Sequence, residues 1–231
     1  MSKKVFISVG HGGSDPGASA NGLKEKDVNL VISLECCKVL QRHGVTVLMS
    51  RMKDEDDKTK IKECNAFNPE LAVDIHNNAG GGDGVEIFHY SKGGLSKEVA
   101  QNVINEIIAI GQNSRGLKTK KNAWGGEYYA FIRETIAPAI IVECAFLDNA
   151  KDVQIIDTPE EQKTMGVAIA KGILKTLGIA YVEEKPVVVE QSNQGSTDKI
   201  YRVQVGAYKV KANAEKMQKK LKELGIDAII V

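Results

Sequence analysis

Residues 5–13, VFISVGHGG, decide the fold, because an apolar run of strand length passes directly into a glycine-rich turn that carries a histidine. Similar apolar runs follow at 45–49, 71–75, 85–88 and 139–142. Strand-length apolar runs that alternate with segments of helical period are typical of α/β domains. We therefore predict an α/β fold with a twisted, mostly parallel sheet and flanking helices, plus a small C-terminal βαβ element.

Three helices are predicted from the spacing of apolar residues. The first carries apolar positions at helical spacing over 28–40, and the second does so over 99–110. The third begins at Thr158, which is followed by a proline at the first helical position and by Glu161 at the capping-box position. Its apolar stripe ends at Gly178, and the first domain is expected to end close to that residue.

The composition argues against two classes of partner. The chain has 231 residues and a formal net charge of +1, and 42% of its residues are hydrophobic. No uninterrupted apolar stretch reaches the roughly 18 residues that a membrane span requires. Neither a membrane span nor binding to nucleic acid is therefore indicated.

The cysteines and the N-terminal segment bear on the compartment of synthesis. Cys36 and Cys37 are adjacent, and none of the four cysteines forms a C-x-x-C motif, which favours reduced thiols. The short run at 5–9 lacks the longer apolar core and the cleavage site of a secretory signal. We expect synthesis in the cytoplasm without a signal peptide.

The C-terminal part differs in composition from the rest. Residues 181–198 mix Pro, Glu, Ser, Asn and Gly without helical period, which predicts a linker between a domain at 1–180 and an element at 199–231. In that last element a strand-like alternation, a helical stripe and a second strand-like run follow one another. It contains eight Lys or Arg against three Asp or Glu, a net charge of +5.

The residues that can carry chemistry follow the predicted strands. His11 follows the first strand, His76 follows 71–75, and Glu143 follows 139–142, while Glu25 lies at the start of the first helix. The carboxyl ends of parallel strands form ligand crevices, so these side chains can converge although they are distant in sequence. Two imidazoles and one carboxylate suit a catalytic zinc ion with one open position.

Each of these residues also has a simpler interpretation. His11 could be a solvated turn residue, His76 could hydrogen-bond within its loop, and Glu25 could favour the helix N-terminus electrostatically. Glu143, inside AIIVECAF, needs a partner or a wet cleft to offset desolvation. The glycine-rich segment 10–17 could also cradle a phosphate, although it matches neither the dinucleotide-binding motif nor the P-loop.

Four short motifs occur along the chain: GHGGSDPGA at 10–18, GLKEKDVNL at 22–30, DIHNNA at 74–79 and VECAFLDN at 142–149. Together, and in this order, they resemble the motifs of the zinc-dependent N-acetylmuramoyl-L-alanine amidases of the amidase-3 family. The resemblance covers roughly residues 4–178 and is far more specific than any single motif.

The resemblance implies a role for each candidate residue. His11, Glu25 and His76 match the zinc ligands, and Glu143 matches the catalytic glutamate. The implied reaction is metal-assisted hydrolysis of the peptidoglycan amide between N-acetylmuramic acid and L-alanine, with Glu143 moving a proton from water to the leaving amine. Arg133 is a candidate contact for an oxyanion or a peptide carboxylate, or else a solvated or salt-bridged arginine.

Two departures from the family pattern concern the surroundings of the site. The histidine after the first strand is often preceded by Asp-Pro-Gly, whereas this chain has Ser8-Val9-Gly10, so the hydrogen bonding around His11 stays open. The catalytic glutamate is often followed by Gly, whereas here Cys144 follows it. We expect this change between small residues to leave the zinc ligands undisturbed.

The C-terminal element resembles half of a sporulation-related (SPOR) repeat, a peptidoglycan-binding module, through KIYRVQVGAYKV at 199–210 and AEKMQKKLKELGIDAIIV at 214–231. Two chains could complete the module, so a homodimer through residues 199–231 is a possible outcome. The expected partner is bacterial peptidoglycan, which the enzyme reaches after lysis or release, as an endolysin or autolysin does. A non-catalytic peptidoglycan-binding protein is the alternative.

Overall fold

The computed structural model describes residues 2–56 and 58–184, together with residues 215, 218, 219, 221 and 222. By its contacts the chain divides into two compact units, Met1–Glu184 and Lys185–Val231. The five described residues of the second unit are helical. The two strands predicted within 199–231 lie outside the described residues, and the domain boundaries stay predictions.

Six strands of the first unit form one sheet in the order β4-β1-β5-β8-β6-β7, and β2 and β3 form a small separate hairpin. The strands are Lys4–Val9 (β1), Ser19–Ala20 (β2), Leu23–Lys24 (β3), Thr46–Met49 (β4), Leu71–Asn78 (β5), Val85–His89 (β6), Ser114–Lys118 (β7) and Ala139–Phe146 (β8). All neighbours in the sheet pair in parallel except β6 and β8. The predicted mostly parallel α/β fold is therefore confirmed.

The helices of the first unit are Glu25–Arg42 (α1), Lys60–Phe67 (α2), Leu95–Ala109 (α3), Ala130–Glu134 (α4), Ala150–Val153 (α5) and Pro159–Thr176 (α6). The three predicted helices are α1, α3 and α6, and α6 begins with the predicted capping box. No helix in the described residues is both long enough and apolar enough to span a bilayer.

The sheet has two faces that are covered very differently, because successive strand residues point to opposite sides. Val5, Ile7 and Ile140 belong to a large apolar cluster with side chains of α1, α3 and α6, and we call this side the three-helix face. Phe6 and Ile141 belong to a small cluster with side chains of α2 and α4, and we call this side the short-helix face.

Residues 181–184 pack on α1. The ring of Tyr181 stacks on that of His43 with centroids 5.3 Å apart, and the backbone N–H of Val182 donates to Nε2 of His43 at 2.8 Å. Glu184 lies 3.5 Å from both Lys38 and Arg42. A truncation that isolates the first unit should therefore end after Glu184.

Candidate active site

The four candidate residues lie on three strands or the turns after them and at the start of one helix. His11 occupies the turn after β1 with a φ of 59°, and Glu25 is the first residue of α1. The sequence predicts His76 and Glu143 just after their strands, whereas β5 and β8 continue through both. These two residues are direct partners in the parallel register of β5 and β8. All four therefore lie near the carboxyl edge of the sheet.

Glu25 stands between the two imidazoles. Its Oε2 is 3.1 Å from Nε2 of His11, and its Oε1 is 3.0 Å from Nδ1 of His76. One donor atom from each of the three residues lies within 4.8 Å of the others. The structure thus brings His11, Glu25 and His76 together as a candidate metal site, with the two nitrogens and one oxygen that catalytic zinc sites use.

The surroundings fix Glu25 as a carboxylate. Its Oε2 accepts from the N–H of Ala18 at 2.9 Å, and its Oε1 accepts from the N–H of Asn77 and from Nδ2 of Asn29, both at 3.2 Å. Burial acts to raise the pKa of Glu25, but its hydrogen bonds to His11 and His76 hold that pKa well below the usual range. The carboxylate is therefore ionised and poorly able to rotate.

A second carboxylate faces the outer nitrogen of each histidine. Nδ1 of His11 bonds to Asp15 at 2.7 Å, and Nε2 of His76 lies 3.4 Å from Asp74. Metal-ligating histidines commonly turn their other nitrogen toward a carboxylate in this way, so the arrangement fits a metal. Although this chain has Ser8-Val9-Gly10 in place of the Asp-Pro-Gly that often precedes this histidine, the ring of His11 still has a carboxylate partner, which is Asp15.

The charges around His76 shift its titration. Burial acts to lower the pKa of His76, but the neighbouring charge of Asp74 and the hydrogen bond to Glu25 raise it to about 10. A hydrogen bond to Glu25 likewise raises the pKa of His11. Both rings therefore lie in a strongly negative environment, which attracts a cation.

Gly17 is packed closely against two of the candidate ligands. Gly17 has a φ of +63°, and a Cβ at this position would lie 2.5 Å from Oε2 of Glu25 and 2.7 Å from Cδ2 of His11. Any side chain here would displace two of the three candidate ligands. The GHGGSDPGA turn therefore requires glycine at this position in order to bring its own histidine against the first residue of α1.

Glu143 lies beside the three candidate ligands without being part of their hydrogen-bond network. It pairs with His76 across β5 and β8 and with Glu86 across β6 and β8. Burial raises the pKa of Glu143 to about 7, although the charge of His76 opposes this. No side-chain hydrogen bond to Glu143 is formed within the described ranges 2–56 and 58–184. Its carboxylate is thus available to accept a proton.

Glu86 is a buried carboxylate next to Glu143, but its oxygens are occupied. Oε1 accepts from Nδ2 of Asn78 at 3.2 Å, and Oε2 accepts from Nε of Arg115 at 2.9 Å. Burial, together with the charges of Glu143 and Glu86, raises the pKa of Tyr129 to about 12, so this phenol keeps its proton beside them. Among the described residues, donors therefore reach Glu86 but not Glu143.

Most backbone amides of the glycine-rich turn are already hydrogen-bonded within the protein. Its Gly13 N–H donates to Asp54 at 2.8 Å, its Ser14 N–H donates to Asp56 at 2.9 Å, and its Gly17 N–H donates to Asp15 at 3.0 Å. These carboxylates would also repel an anion. The hydrogen bonds of residues 10–17 therefore argue against a phosphate-binding role for this segment.

Arg133 is engaged with its own segment. Its Nη1 donates to the carbonyls of Glu127 and Tyr128, both at 2.9 Å, and its Nη2 lies 2.6 Å from Glu134. These bonds stabilise the segment that precedes α4. Contact with substrate through Arg133 stays a prediction.

Sequence reasoning missed Lys60 and did not use Asp74. Both lie at the site: Lys60 and His76 line a cavity of about 310 Å³ that also exposes His11. Asp74 could have been found from the sequence, because a charged residue inside the apolar run LAVDIH must have a polar partner. Asp74 and His76 are two residues apart in the strand, so their side chains point to the same face. Lys60 had no such signal, since it sits in a polar segment.

The fold and the site together define an α/β protein with a candidate hydrolytic metal site at the carboxyl edge of its sheet. The family model for N-acetylmuramoyl-L-alanine amidases, Amidase_3, matches residues 5–175, and the SPOR domain model matches residues 173–231. The chain therefore belongs to the N-acetylmuramoyl-L-alanine amidase family, and it is an enzyme of that class.

Individual relatives agree with this assignment. The chain is 32% identical over 236 residues to the sporulation-specific N-acetylmuramoyl-L-alanine amidase of Bacillus subtilis (strain 168), which covers 99% of this chain and 84% of the relative. Cwp6 from Clostridium difficile is 37% identical with a TM-score of 0.75, over 77% of this chain and 30% of Cwp6. The N-acetylmuramoyl-L-alanine amidase from Clostridium difficile 630 is 30% identical with a TM-score of 0.69, over 77% and 97% of the respective chains.

Proposed function

We propose that this amidase is zinc-dependent and hydrolyses the amide bond between N-acetylmuramic acid and L-alanine in bacterial peptidoglycan. One observation carries the proposal: two imidazoles and a carboxylate converge within 4.8 Å beside Glu143, a half-buried glutamate to which no described residue donates a hydrogen bond. Zinc ligands and a general base are the two components that metal-assisted amide hydrolysis requires.

The proposed reaction assigns metal binding and proton transfer to different residues. His11, Glu25 and His76 would hold the ion, which supplies a Lewis acid that polarises a carbonyl oxygen and acidifies water. Glu143 accepts the proton of the attacking water at its carboxylate and returns it to the leaving amine. Its raised pKa of about 7 lies near neutral pH, which suits a group that must both take and give a proton.

Metal removal tests the proposal directly. The full chain is treated with a chelator, dialysed, and assayed for loss of turbidity of purified cell walls before and after stoichiometric Zn²⁺ is added. We expect activity to disappear with the metal and to return with zinc, while Mg²⁺, a control that prefers oxygen ligands, does not restore it. Full activity after exhaustive metal removal would refute zinc dependence.

The products test the bond that is cleaved. Digested walls should contain stem peptides with a new free amino group on L-alanine, and the glycan strands should stay intact. New reducing sugar ends would instead indicate a glycosidase. Because this assay follows the bond and not the metal, it separates an error in the substrate from an error in the cofactor.

The C-terminal unit is proposed to bind the cell wall, which the match to the SPOR model supports. A homodimer through residues 199–231 stays a prediction that light scattering can check, with a 1–184 truncation as the control. A dimeric full chain and a monomeric truncation would support it, and a monomeric full chain at high micromolar concentration would exclude it. Cytoplasmic synthesis and action on the wall after lysis or release likewise stay predictions.

A further inference from the structure

Asp74 is a buried charge on the short-helix face of β5. Asp74 is only 2% exposed, and its neighbours on that face, Ala72 and Ile141, are apolar. Withdrawing a carboxylate from water is costly, and a buried ion pair seldom adds net stability compared with apolar residues. Stability alone therefore does not account for an aspartate at this place.

The contacts of Asp74 fix the direction of each oxygen. Oδ1 accepts from Oγ of Ser8 at 2.6 Å, and Oδ2 accepts from Nζ of Lys60 at 2.9 Å. Ser8 belongs to β1 and Lys60 is the first residue of α2. Because the two donors come from different elements, the carboxylate cannot rotate without losing one of them.

The fixed Oδ2 faces the ring of His76. It lies 3.4 Å from Nε2, on the far side of the ring from Nδ1, which is 3.0 Å from Glu25. A negative oxygen beside Nε2 keeps a proton on that nitrogen, so Nε2 is turned away from the site as a donor. Nδ1 then faces Glu25, and it is the nitrogen whose lone pair would bind an ion held between these two residues and His11.

The two histidines are supported in different ways. His11 has the opposite arrangement, with Nδ1 bonded to Asp15 and Nε2 facing Glu25. The side chain of Asp15 is 64% exposed, whereas that of Asp74 is 3% exposed. Water can replace Asp15 as a partner of its ring, but it has little access to Asp74. The larger consequence is therefore expected at His76.

We propose that Asp74, fixed by Ser8 and Lys60, is a positioning residue that holds His76 with its Nδ1 lone pair toward the metal. The inference rests on the proposed zinc dependence. It adds Ser8, Lys60 and Asp74 to the residues that determine zinc affinity, although none of the three is a ligand.

The test measures zinc affinity in the full chain by competition with a chromophoric chelator. We expect Asp74→Asn to raise the dissociation constant by about 10- to 100-fold, the usual consequence of removing the outer partner of a metal-bound histidine. The matched control is Asp152→Asn. Asp152 is 1% exposed and accepts from the N–H groups of Gly84 and Phe146, so this control also removes a buried aspartate. It should leave the zinc dissociation constant unchanged.

A spectroscopic measurement separates positioning from general loosening. In the zinc-loaded protein, the Nε2 proton of His76 should exchange slowly with water and be visible by ¹⁵N NMR. In Asp74→Asn the exchange should become faster, whereas in Asp152→Asn it should match the wild type. Unchanged exchange together with unchanged affinity in folded Asp74→Asn overturns the inference.

Two milder variants cover the case in which Asp74→Asn does not fold. Ser8→Ala and Lys60→Gln keep the carboxylate but release one of its oxygens, and each should weaken zinc binding by a smaller factor than Asp74→Asn. Wild-type affinity in both variants overturns the inference and leaves the proposed function intact. A wild-type protein that binds no zinc overturns both.

Discussion

The two faces of the central sheet are built for different tasks. The three-helix face lies under α1, α3 and α6, which have 18, 15 and 18 residues, whereas α2 and α4 on the short-helix face have 8 and 5. Within β5 the contrast appears between adjacent residues, because Val73 joins the large apolar cluster while Asp74 is charged. Most of the apolar burial thus lies on one side of the sheet, whereas Asp74, His76 and Glu143 lie on the other, and Glu25 reaches the site from the start of α1 at the carboxyl edge.

The short helices leave part of their face uncovered, and this is what makes a cleft. Phe6, Ala72 and Ile141, which α2 and α4 cover, lie nearer the amino ends of the parallel strands. Toward the carboxyl ends, the same face carries His76 and Glu143. A site that must admit a wall polymer needs such an open region, and the opposite face supplies the apolar burial that the cleft cannot.

The largest expected effect tests whether Glu143, on the short-helix face, contributes to the chemistry and not to stability. Glu143→Gln keeps the shape of the side chain but cannot accept a proton, so we expect kcat on purified walls to fall by about 10²- to 10⁴-fold. Zinc content and thermal stability should stay close to those of the wild type, because Glu143 is neither a proposed ligand nor part of the large cluster. Turnover, metal content and melting temperature are measured on the same preparation.

Glu98→Gln is the matched control for that variant. Glu98 lies in the first turn of α3 and is exposed, so the same chemical change occurs far from the candidate ligands. Activity should be unchanged. If Glu143→Gln loses its zinc in parallel with its activity, the glutamate is a ligand and its assignment as the base is wrong.

The second prediction compares the two faces through one strand. Ile140 and Ile141 are consecutive in β8, are 0% and 4% exposed, and point to the three-helix and short-helix faces respectively. Truncation of a buried isoleucine to alanine costs about 2–5 kcal/mol, depending on how far the surroundings can collapse. We expect the loss in the free energy of unfolding to be near the top of this range for Ile140→Ala and near the bottom for Ile141→Ala, and urea unfolding measures both. Equal losses would show that both faces carry the stability.

The third prediction concerns the contact between α3 and α6 within the three-helix layer. A Cβ on Gly172 of α6 would lie 2.4 Å from Cα of Val103 in α3, so the two backbones touch at this position. Alanine is the better helix former by about 1 kcal/mol, but overpacking costs about 1–3 kcal/mol. We expect Gly172→Ala to lower the free energy of unfolding, with zinc binding retained by the folded fraction. A stabilised variant would mean that the helices separate readily.

The elements that the sequence predicts are those with a local signal. The capping box at Thr158 and Glu161 depends on residues three apart, and the structure shows both of its hydrogen bonds. In contrast, β7 reads SRGLK, is partly exposed at the edge of the sheet and shows no apolar alternation, so it gave no signal. The reversed direction of β6 and β7 is set by pairing with β8, which no local pattern records.

The candidate site shows the same division. Spacing alone placed His11, His76 and Glu143 at one edge, and the family motifs added specific roles. The partners that orient them were harder to predict, because Lys60 reaches Asp74 from a different element at 2.9 Å. Contacts of this kind depend on the packing of α2 against the sheet, and they become visible only in three dimensions.

The smallest expected effect tests the N-terminus of α6, the helix that packs against both α1 and α3 on the three-helix face. Oγ1 of Thr158 accepts from the N–H of Glu161 at 3.3 Å, and the Glu161 carboxylate accepts from the N–H of Thr158 at 3.0 Å. Thr158→Ala removes one of these two bonds, so we expect a loss of about 1 kcal/mol in the free energy of unfolding. For a domain of this size, that loss corresponds to a fall of about 2–4 °C in melting temperature.

Thr164→Ala is the matched control in the same helix. Thr164 is exposed, and its Oγ1 donates back to the carbonyl of Glu160 at 2.9 Å, a bond that adds little to helix stability. Because alanine is the better helix former, this variant should be neutral or slightly stabilised. Both variants should cleave walls at the wild-type rate below their melting temperatures, since the cap and the cleft lie on opposite faces. A loss of activity in Thr158→Ala at full folding would couple α6 to the site and contradict the separation of stability from chemistry.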